Sequence, residues 1–225
     1  FIHGGGWAAG NRLSGLSQNL QPALEAGISV ASIEYRFVDE AKGVEPPVKV
    51  PLTDAARALQ FVRSKKAAWH LDTNRIVAAG GSAGACTSLW LAFHDDPIAR
   101  ESTRLTAVAV SGAQTTLDPK QMKEWTPNSH YGGHAFGIPT IASEGDRRSG
   151  RFTRFLESRE SLLPWIQEYS PYALVTADDP PVYMLYNNQP ALGHDAKDPT
   201  HSANFGVKLK EQLDSVKVPC ELVYP

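Results

Sequence analysis

Short apolar runs alternate with longer amphipathic stretches along most of the chain. The apolar runs have the length and side-chain content of buried strands at 28–35, 75–79, 105–110, 182–186 and 218–224. Between them, apolar residues at helical spacing predict helices at 14–26, 53–66, 83–93 and 201–213. Strands that alternate with helices predict an α/β fold in which a mostly parallel sheet is flanked by helices.

The alternation is interrupted between residues 112 and 178. This stretch contains Trp125, His130, Tyr131 and Trp165 without a clear strand pattern. We expect one domain over 1–225, in which 112–178 is an excursion from the sheet. Two interpretations stay open, a surface insertion with its own apolar cluster or a lid over a site at the strand ends.

The two ends of the chain lie inside the pattern. The sequence opens on the apolar pair Phe1-Ile2 without a Met and closes at Pro225 as a strand pattern finishes. We therefore expect a domain truncated at both ends. The cellular compartment stays open, because any signal peptide would precede residue 1.

Composition excludes several classes of function. The 225 residues carry 22 basic and 24 acidic side chains, a net charge of −2, so no cationic footprint for nucleic acid is present. The sequence has no apolar run of 18 residues, so we expect no transmembrane segment. Two cysteines are too few for a disulfide framework. The oligomeric state stays open.

The pentapeptide Gly80-Gly81-Ser82-Ala83-Gly84 matches G-x-S-x-G between a predicted strand and a predicted helix. A serine on such a sharp turn needs small neighbours, because the chain nearly touches itself there. The following helix places its positive end beneath any charge that forms at the hydroxyl. Ser82 is therefore the candidate nucleophile. The alternative, a nucleotide-binding turn, is disfavoured because neither G-x-G-x-x-G nor a P-loop ending is present.

A second glycine-rich segment, His3 to Trp7, follows the first apolar run. Acyl transfer needs fixed N–H donors aimed at the oxygen that becomes negative, and glycines allow close approach. We therefore assign the backbone N–H groups of Gly4, Gly5 and Ala83 to an oxyanion hole. His3 heads this loop, and we expect it to orient the loop rather than to accept a proton from Ser82.

The candidate acid follows the strand predicted at 182–186. Asp198 precedes a proline and lies just ahead of a helix, which suits a carboxylate that must hold an imidazole in one tautomer. Asp195 is the alternative. His194 and His201 lie close to both carboxylates, but their spacing matches no metal-ligand pattern, so we expect no metal and no cofactor.

The candidate base is expected beyond Pro225. In this architecture the order along the chain is Ser, acid and then His, which places the His after the strand at 218–224. No histidine of the sequence follows that strand. His201 lies only three residues from Asp198 and would have to fold back across the Ser82 turn. On this interpretation the 225 residues alone are inactive.

These motifs resemble the α/β-hydrolase superfamily, in the branch of HGGG-type esterases and lipases that includes hormone-sensitive-lipase-like enzymes and bacterial feruloyl-esterase-like domains. The resemblance is carried by the segment from His3 to Trp7 and by Gly80 to Gly84, with Tyr35-Arg36 as a further match. It implies hydrolysis of a small carboxylic ester through an acyl-enzyme, with Ser82 as nucleophile and no cofactor.

Two alternatives to an esterase are retained. A triad without its base is typical of a non-catalytic binding module on the same fold, and aryl formamide or amide hydrolysis uses the same machinery. Substrate choice depends on pocket walls, for which Trp7 and Tyr131 are the first candidates, with Trp125 and Trp165 as further aromatic side chains of the chain. Core packing is the alternative role for these rings.

Overall fold

A computed structural model describes residues 1–94, 101–141 and 147–225 of the chain. The strands are β1 (Val77–Gly81), β2 (Ala107–Ser111), β3 (Val182–Leu185) and β4 (Cys220–Val223). The helices are α1 (Ser17–Glu25), α2 (Lys49–Ser64), α3 (Ala83–Phe93), α4 (Pro119–Trp125), α5 (Arg147–Glu157), α6 (Arg159–Tyr169), α7 (Pro171–Leu174) and α8 (Ala203–Ser215). Short 3-10 helices cover Val38–Glu40 and Gly133–Phe136. This alternation confirms the predicted parallel sheet flanked by helices.

The sheet is parallel throughout its four strands, in the order β1-β2-β3-β4. Its register pairs Gly81 with Ser111 and Ser111 with Leu185. The carboxyl ends of β1, β2 and β3 therefore lie side by side at one edge. Loops that follow these strands meet there, which is where open α/β sheets bind their ligands.

The strand predicted at 28–35 is reduced to a single bridge. Ile2 pairs in parallel with Ile33 on one side and with Gly80 on the other, so both segments continue the sheet beyond β1. The ladder stops after one pair because the chain turns into the glycine loop directly after His3. Prediction and structure differ here in the length of the strand, not in its place.

Helix α2 begins at Lys49, four residues before the predicted start at Thr53. Pro51 therefore lies in the first turn of the helix. A proline is tolerated there because the first N–H groups of a helix have no partner inside it.

Helix α3 is the central element of the core. All its residues except Ala92 are buried, since it packs directly on β1 and β2 while α2 and α7 cover its outer side. Small residues at its start let the helix approach the sheet closely. The nucleophile turn thus stands on a rigid support.

Between β2 and β3 the chain forms helices α4 to α7 and the 3-10 helix Gly133–Phe136. Phe136 stacks on Phe155 with ring centroids 5.2 Å apart, and Arg159 makes a two-pronged ion pair with the buried Asp118 at 2.8 and 2.7 Å. The predicted excursion at 112–178 thus contains an apolar cluster, although residues 142–146 lie outside the described residues. A lid role for it stays a prediction.

In the described part of the chain, no helix combines the length and the apolar character that crossing a membrane requires.

Candidate active site

Ser82 stands on a strained turn between β1 and α3. Its backbone has φ 54° and ψ −123°, a conformation that non-glycine residues rarely adopt. A Cβ at Gly84 would lie 2.1 Å from the carbonyl oxygen of Ile2, and one at Gly80 would lie 2.5 Å from the same atom. The glycines are therefore required sterically, because the turn touches the segment that leads into the glycine loop.

His201 contacts the nucleophile. Its Nε2 lies 2.9 Å from Ser82 Oγ, and its Nδ1 lies 2.8 Å from Asp198 Oδ2. The three side chains form a continuous chain of hydrogen bonds in which a neutral ring donates from Nδ1 to the carboxylate and accepts at Nε2 from the hydroxyl. This is the arrangement that a serine nucleophile, its base and the orienting acid require.

The exclusion of His201 on the basis of sequence spacing is wrong. Asp198 Oδ1 accepts the N–H groups of Thr200 and of His201 itself, both at 3.2 Å, which closes residues 198–201 into a tight turn. Within this turn carboxylate and imidazole meet despite their three-residue separation. The expectation of a base beyond Pro225 depended on this exclusion.

The end of β2 makes room for the imidazole. Gly112 has φ 55°, and a Cβ added there would lie 3.4 Å from the His201 ring. Gln114 donates from Nε2 to the carbonyl of Thr200 at 2.6 Å, and the Asn188 Oδ1 accepts the N–H of Ala203 at 3.1 Å. These contacts fix the loop that carries the base. No sequence pattern singles out these three residues, since only the adjacent strand ends relate them to Ser82.

Asp198 is held as a carboxylate. Partial burial raises its pKa, but the hydrogen bond and charge of His201, together with the N–H donors of the turn, lower that pKa below its ordinary value. Asp195, the alternative acid, is exposed and is not the carboxylate in contact with the ring. Of the two candidates, Asp198 therefore has the geometry of an orienting acid.

Gly4 approaches the nucleophile closely. A Cβ on Gly4 would lie 2.9 Å from the carbonyl oxygen of Gly81 and 3.3 Å from the Cβ of Ser82. Only a glycine fits, so the glycine loop borders the space around Ser82.

His3 and Tyr35 hold the first carbonyl groups of this loop. The hydroxyl of Tyr35 donates to the carbonyl of His3 at 2.9 Å, and His3 Nδ1 lies 2.7 Å from the carbonyl oxygen of Gly4. His3 is fully buried, stacks on Tyr35 and reaches Glu34 at 3.1 Å through Nε2. It contacts the loop rather than Ser82, which fits the predicted orienting role.

The remaining carbonyl groups of the loop are also occupied. The Gly5 carbonyl accepts two N–H groups of the following turn, and the Gly6 carbonyl lies 2.8 Å from His134 Nε2. In the described residues, no acceptor takes a hydrogen bond from the N–H of Gly4, Gly5 or Ala83. The loop therefore has fixed carbonyl groups and free N–H donors, and Ala83 adds the first N–H of helix α3.

Trp7 lies in the core. It is fully buried, and its indole N–H donates to Thr87 Oγ1 at 2.9 Å. This placement does not support the predicted pocket role, because the ring packs between the loop and α3. Trp125 is also buried, in edge contact with Tyr172 and Phe205.

Tyr131 has a buried hydroxyl without a hydrogen-bond partner among the described residues. Burial raises its pKa well above the ordinary value, so the phenol is neutral. The hydroxyl lies 3.8 Å from the point that a Cβ on Gly6 would occupy. The Tyr131 hydroxyl therefore lies beside Gly6 of the glycine loop. The pocket role of Tyr131 stays a prediction.

A family comparison matches the BD-FAE model over residues 1–192. The chain belongs to the BD-FAE family. The match covers both glycine motifs and confirms the predicted resemblance to the esterase branch of the α/β-hydrolases. No curated protein matches the chain by sequence.

Solved structures with the same fold include a truncated form of a carbohydrate esterase from gut microbiota, which is 19% identical with a TM-score of 0.69 over 99% of this chain and 74% of its own. Apo esterase 2 from Thermogutta terrifontis is 21% identical, with a TM-score of 0.67 over 100% of this chain and 70% of its own. An acetyl ester-xyloside bifunctional hydrolase from Caldicellulosiruptor lactoaceticus is 19% identical, with a TM-score of 0.62 over 99% of this chain and 70% of its own. The BD-FAE chain thus has the α/β-hydrolase fold.

Proposed function

We propose that this BD-FAE chain is a serine hydrolase that cleaves carboxylic esters, with Ser82, His201 and Asp198 as its catalytic residues. The observation that carries the proposal is the 2.9 Å contact between His201 Nε2 and Ser82 Oγ, within hydrogen-bond reach for proton transfer. Family membership and the esterases among the structural neighbours support the reaction class.

In the first half of the reaction, Ser82 Oγ attacks the ester carbonyl carbon while its proton passes to His201 Nε2. The carbonyl oxygen becomes negative and accepts hydrogen bonds from the N–H groups of Gly4, Gly5 and Ala83. Asp198 keeps the Nδ1 proton in place and stabilises the imidazolium. The tetrahedral intermediate then collapses, the alcohol takes the proton from Nε2, and the acyl group stays on Ser82.

In the second half, water replaces the alcohol. His201 accepts a proton from the attacking water, the same N–H groups bind the oxyanion, and the carboxylic acid leaves as Ser82 regains its proton. Every proton transfer of this cycle passes through His201, so we expect no cofactor. We infer a small-molecule ester as substrate, and the carbohydrate and acetyl esterases among the neighbours favour acylated sugars as the first class to assay.

The contact between Ser82 and His201 favours an enzyme over a binding module. A binding module has no need of a nucleophile, base and acid in one hydrogen-bonded chain on a strained turn. Formamide or amide cleavage by the same residues remains a matter of substrate preference, and competition between aryl formamides and aryl esters ranks the two.

The proposal is tested by hydrolysis of p-nitrophenyl acetate and butyrate by residues 1–225. We expect turnover that is lost in Ser82→Ala and in His201→Ala. Ser215→Ala, near the end of α8, and His70→Ala, before the amino end of β1, change the same residue types away from the site and serve as matched controls. Full activity of His201→Ala would refute the assignment of the base, and full activity of Ser82→Ala would refute the proposed function.

A further inference from the structure

The glycine loop has an unusual backbone where it leaves the site. Gly6 has φ 62°, and the next residue, Trp7, has φ 54°. Two consecutive residues in the left-handed region are uncommon, and for a tryptophan this conformation costs about 1 kcal/mol or more. Such a turn persists only where surrounding contacts hold it.

One side of this turn is tied to the nucleophile helix. The Trp7 indole N–H donates to Thr87 Oγ1 at 2.9 Å, and the Thr87 hydroxyl donates to the carbonyl of Ala83 at 2.8 Å. The loop and the start of α3 are thus joined through two buried hydrogen bonds. These hydrogen bonds therefore hold the glycine loop, which carries the N–H groups of Gly4 and Gly5, against the helix start that carries the N–H of Ala83.

The other side is tied to the excursion between β2 and β3. His134, in the 3-10 helix Gly133–Phe136, has its Nε2 2.8 Å from the carbonyl oxygen of Gly6. A carbonyl oxygen only accepts, so the ring carries its proton on Nε2. Burial lowers the pKa of His134 to about 4, which keeps the ring neutral near pH 7.

Packing fixes the direction of this imidazole. The Tyr131 ring makes an edge contact with His134 at a centroid distance of 5.0 Å, and the Trp7 ring lies 6.1 Å away. The ring is therefore held between two aromatic side chains, so its N–H points at one carbonyl. A donor that is fixed in this way sets the orientation of the peptide group between Gly6 and Trp7.

We propose that His134 is a positioning residue that holds the glycine loop in the orientation in which its N–H groups face the oxyanion. The inference rests on the proposed function and adds a role for the excursion. On this view the excursion supplies part of the catalytic geometry besides packing on α3 through α7. His134 contacts neither Ser82 nor the ester, so its effect passes through the backbone of the loop.

The test compares His134→Gln with His134→Asn in residues 1–225. The Gln amide nitrogen reaches the place of Nε2, whereas the Asn amide is one methylene shorter and does not. We expect His134→Asn to lower kcat about 100-fold with KM within about threefold, because a catalytic group misplaced by about 1 Å costs this much. His134→Gln should retain kcat within about fivefold of the parent.

Two further measurements separate positioning from a loss of stability. The thermal unfolding midpoints of both variants show whether the protein is folded at the assay temperature. A p-nitrophenyl phosphonate inactivator, whose adduct on Ser82 carries the negative oxygen, should react more slowly with His134→Asn by the same factor as kcat. The pair His70→Gln and His70→Asn, at an exposed histidine that precedes the amino end of β1, should leave both rates unchanged.

Equal kcat values for folded His134→Asn and the parent would overturn the inference while Ser82→Ala remains inactive. Equal losses in His134→Asn and His134→Gln would also overturn it, because the amide donor would then have no effect. If the proposed function itself is wrong, the result is different, because Ser82→Ala would then keep its activity.

Discussion

Asp198→Asn tests the turn that joins acid and base. In the parent, Oδ2 accepts from His201 Nδ1 at 2.8 Å, and Oδ1 accepts two backbone N–H groups at 3.2 Å. The amide of Asn cannot accept at both positions. If its NH2 group faces Nδ1, the ring must carry its proton on Nε2 and can no longer accept the proton of Ser82.

If the amide rotates the other way, its NH2 group faces the two backbone donors. Losing these two hydrogen bonds costs about 1–2 kcal/mol. Loss of the carboxylate charge removes about 1–2 kcal/mol of imidazolium stabilisation. This value is at the low end of the range for two charges in contact, because water screens the pair: the side chains of Asp198 and His201 are 52% and 38% exposed. The two backbone hydrogen bonds are lost in the ground state and in the transition state alike, so in this orientation only the lost charge lowers kcat, by about 5- to 30-fold.

The assay is hydrolysis of p-nitrophenyl acetate under saturating substrate at pH 8, with Asp195→Asn as the matched control from the same loop. We expect Asp195→Asn to stay within about twofold of the parent. A loss below threefold in Asp198→Asn, or a larger loss in Asp195→Asn, would refute the assignment of the acid.

Gly84→Ala should lower the free energy of unfolding by about 3 kcal/mol or more in urea denaturation, because its Cβ would lie 2.1 Å from the carbonyl oxygen of Ile2; an unchanged midpoint would contradict the close approach. Asn204→Ala should cost about 3 kcal/mol in the same measurement, since the buried amide donates to the Trp125 carbonyl at 2.7 Å and accepts the Ala191 N–H at 2.7 Å, and that N–H would lose its partner; a cost below 1 kcal/mol would show that water replaces it. Burial lowers the pKa of His134 from 6.5 to about 4, so on acidification the ring takes up a proton in the unfolded chain before it does so in the folded protein. The free energy of unfolding should therefore fall by up to about 3 kcal/mol as the pH drops from 6.5 to 4. His134→Gln should show a smaller fall over this range, and an equal fall in both proteins would assign it to other groups.

The nucleophile turn could be predicted because its conformation is local. Gly80, Ser82 and Gly84 are adjacent in the chain, and the steric demand that selects the glycines acts within the same few residues. Strand and helix periodicity is local in the same sense, so the order of the elements was also predictable. The ends of the elements were harder to predict, since α2 begins four residues before its predicted start and the strand predicted at 28–35 forms a single bridge.

The α/β alternation, the strained serine turn and the glycine loop follow from local sequence patterns, because each is encoded by residues that are neighbours in the chain. Folding of the whole chain was needed to bring His201 to Ser82 across 119 positions and His134 to Gly6 across 128. The parallel sheet accounts for this difference. Its register places the ends of β1, β2 and β3 side by side, and no local pattern records which loop residues then meet.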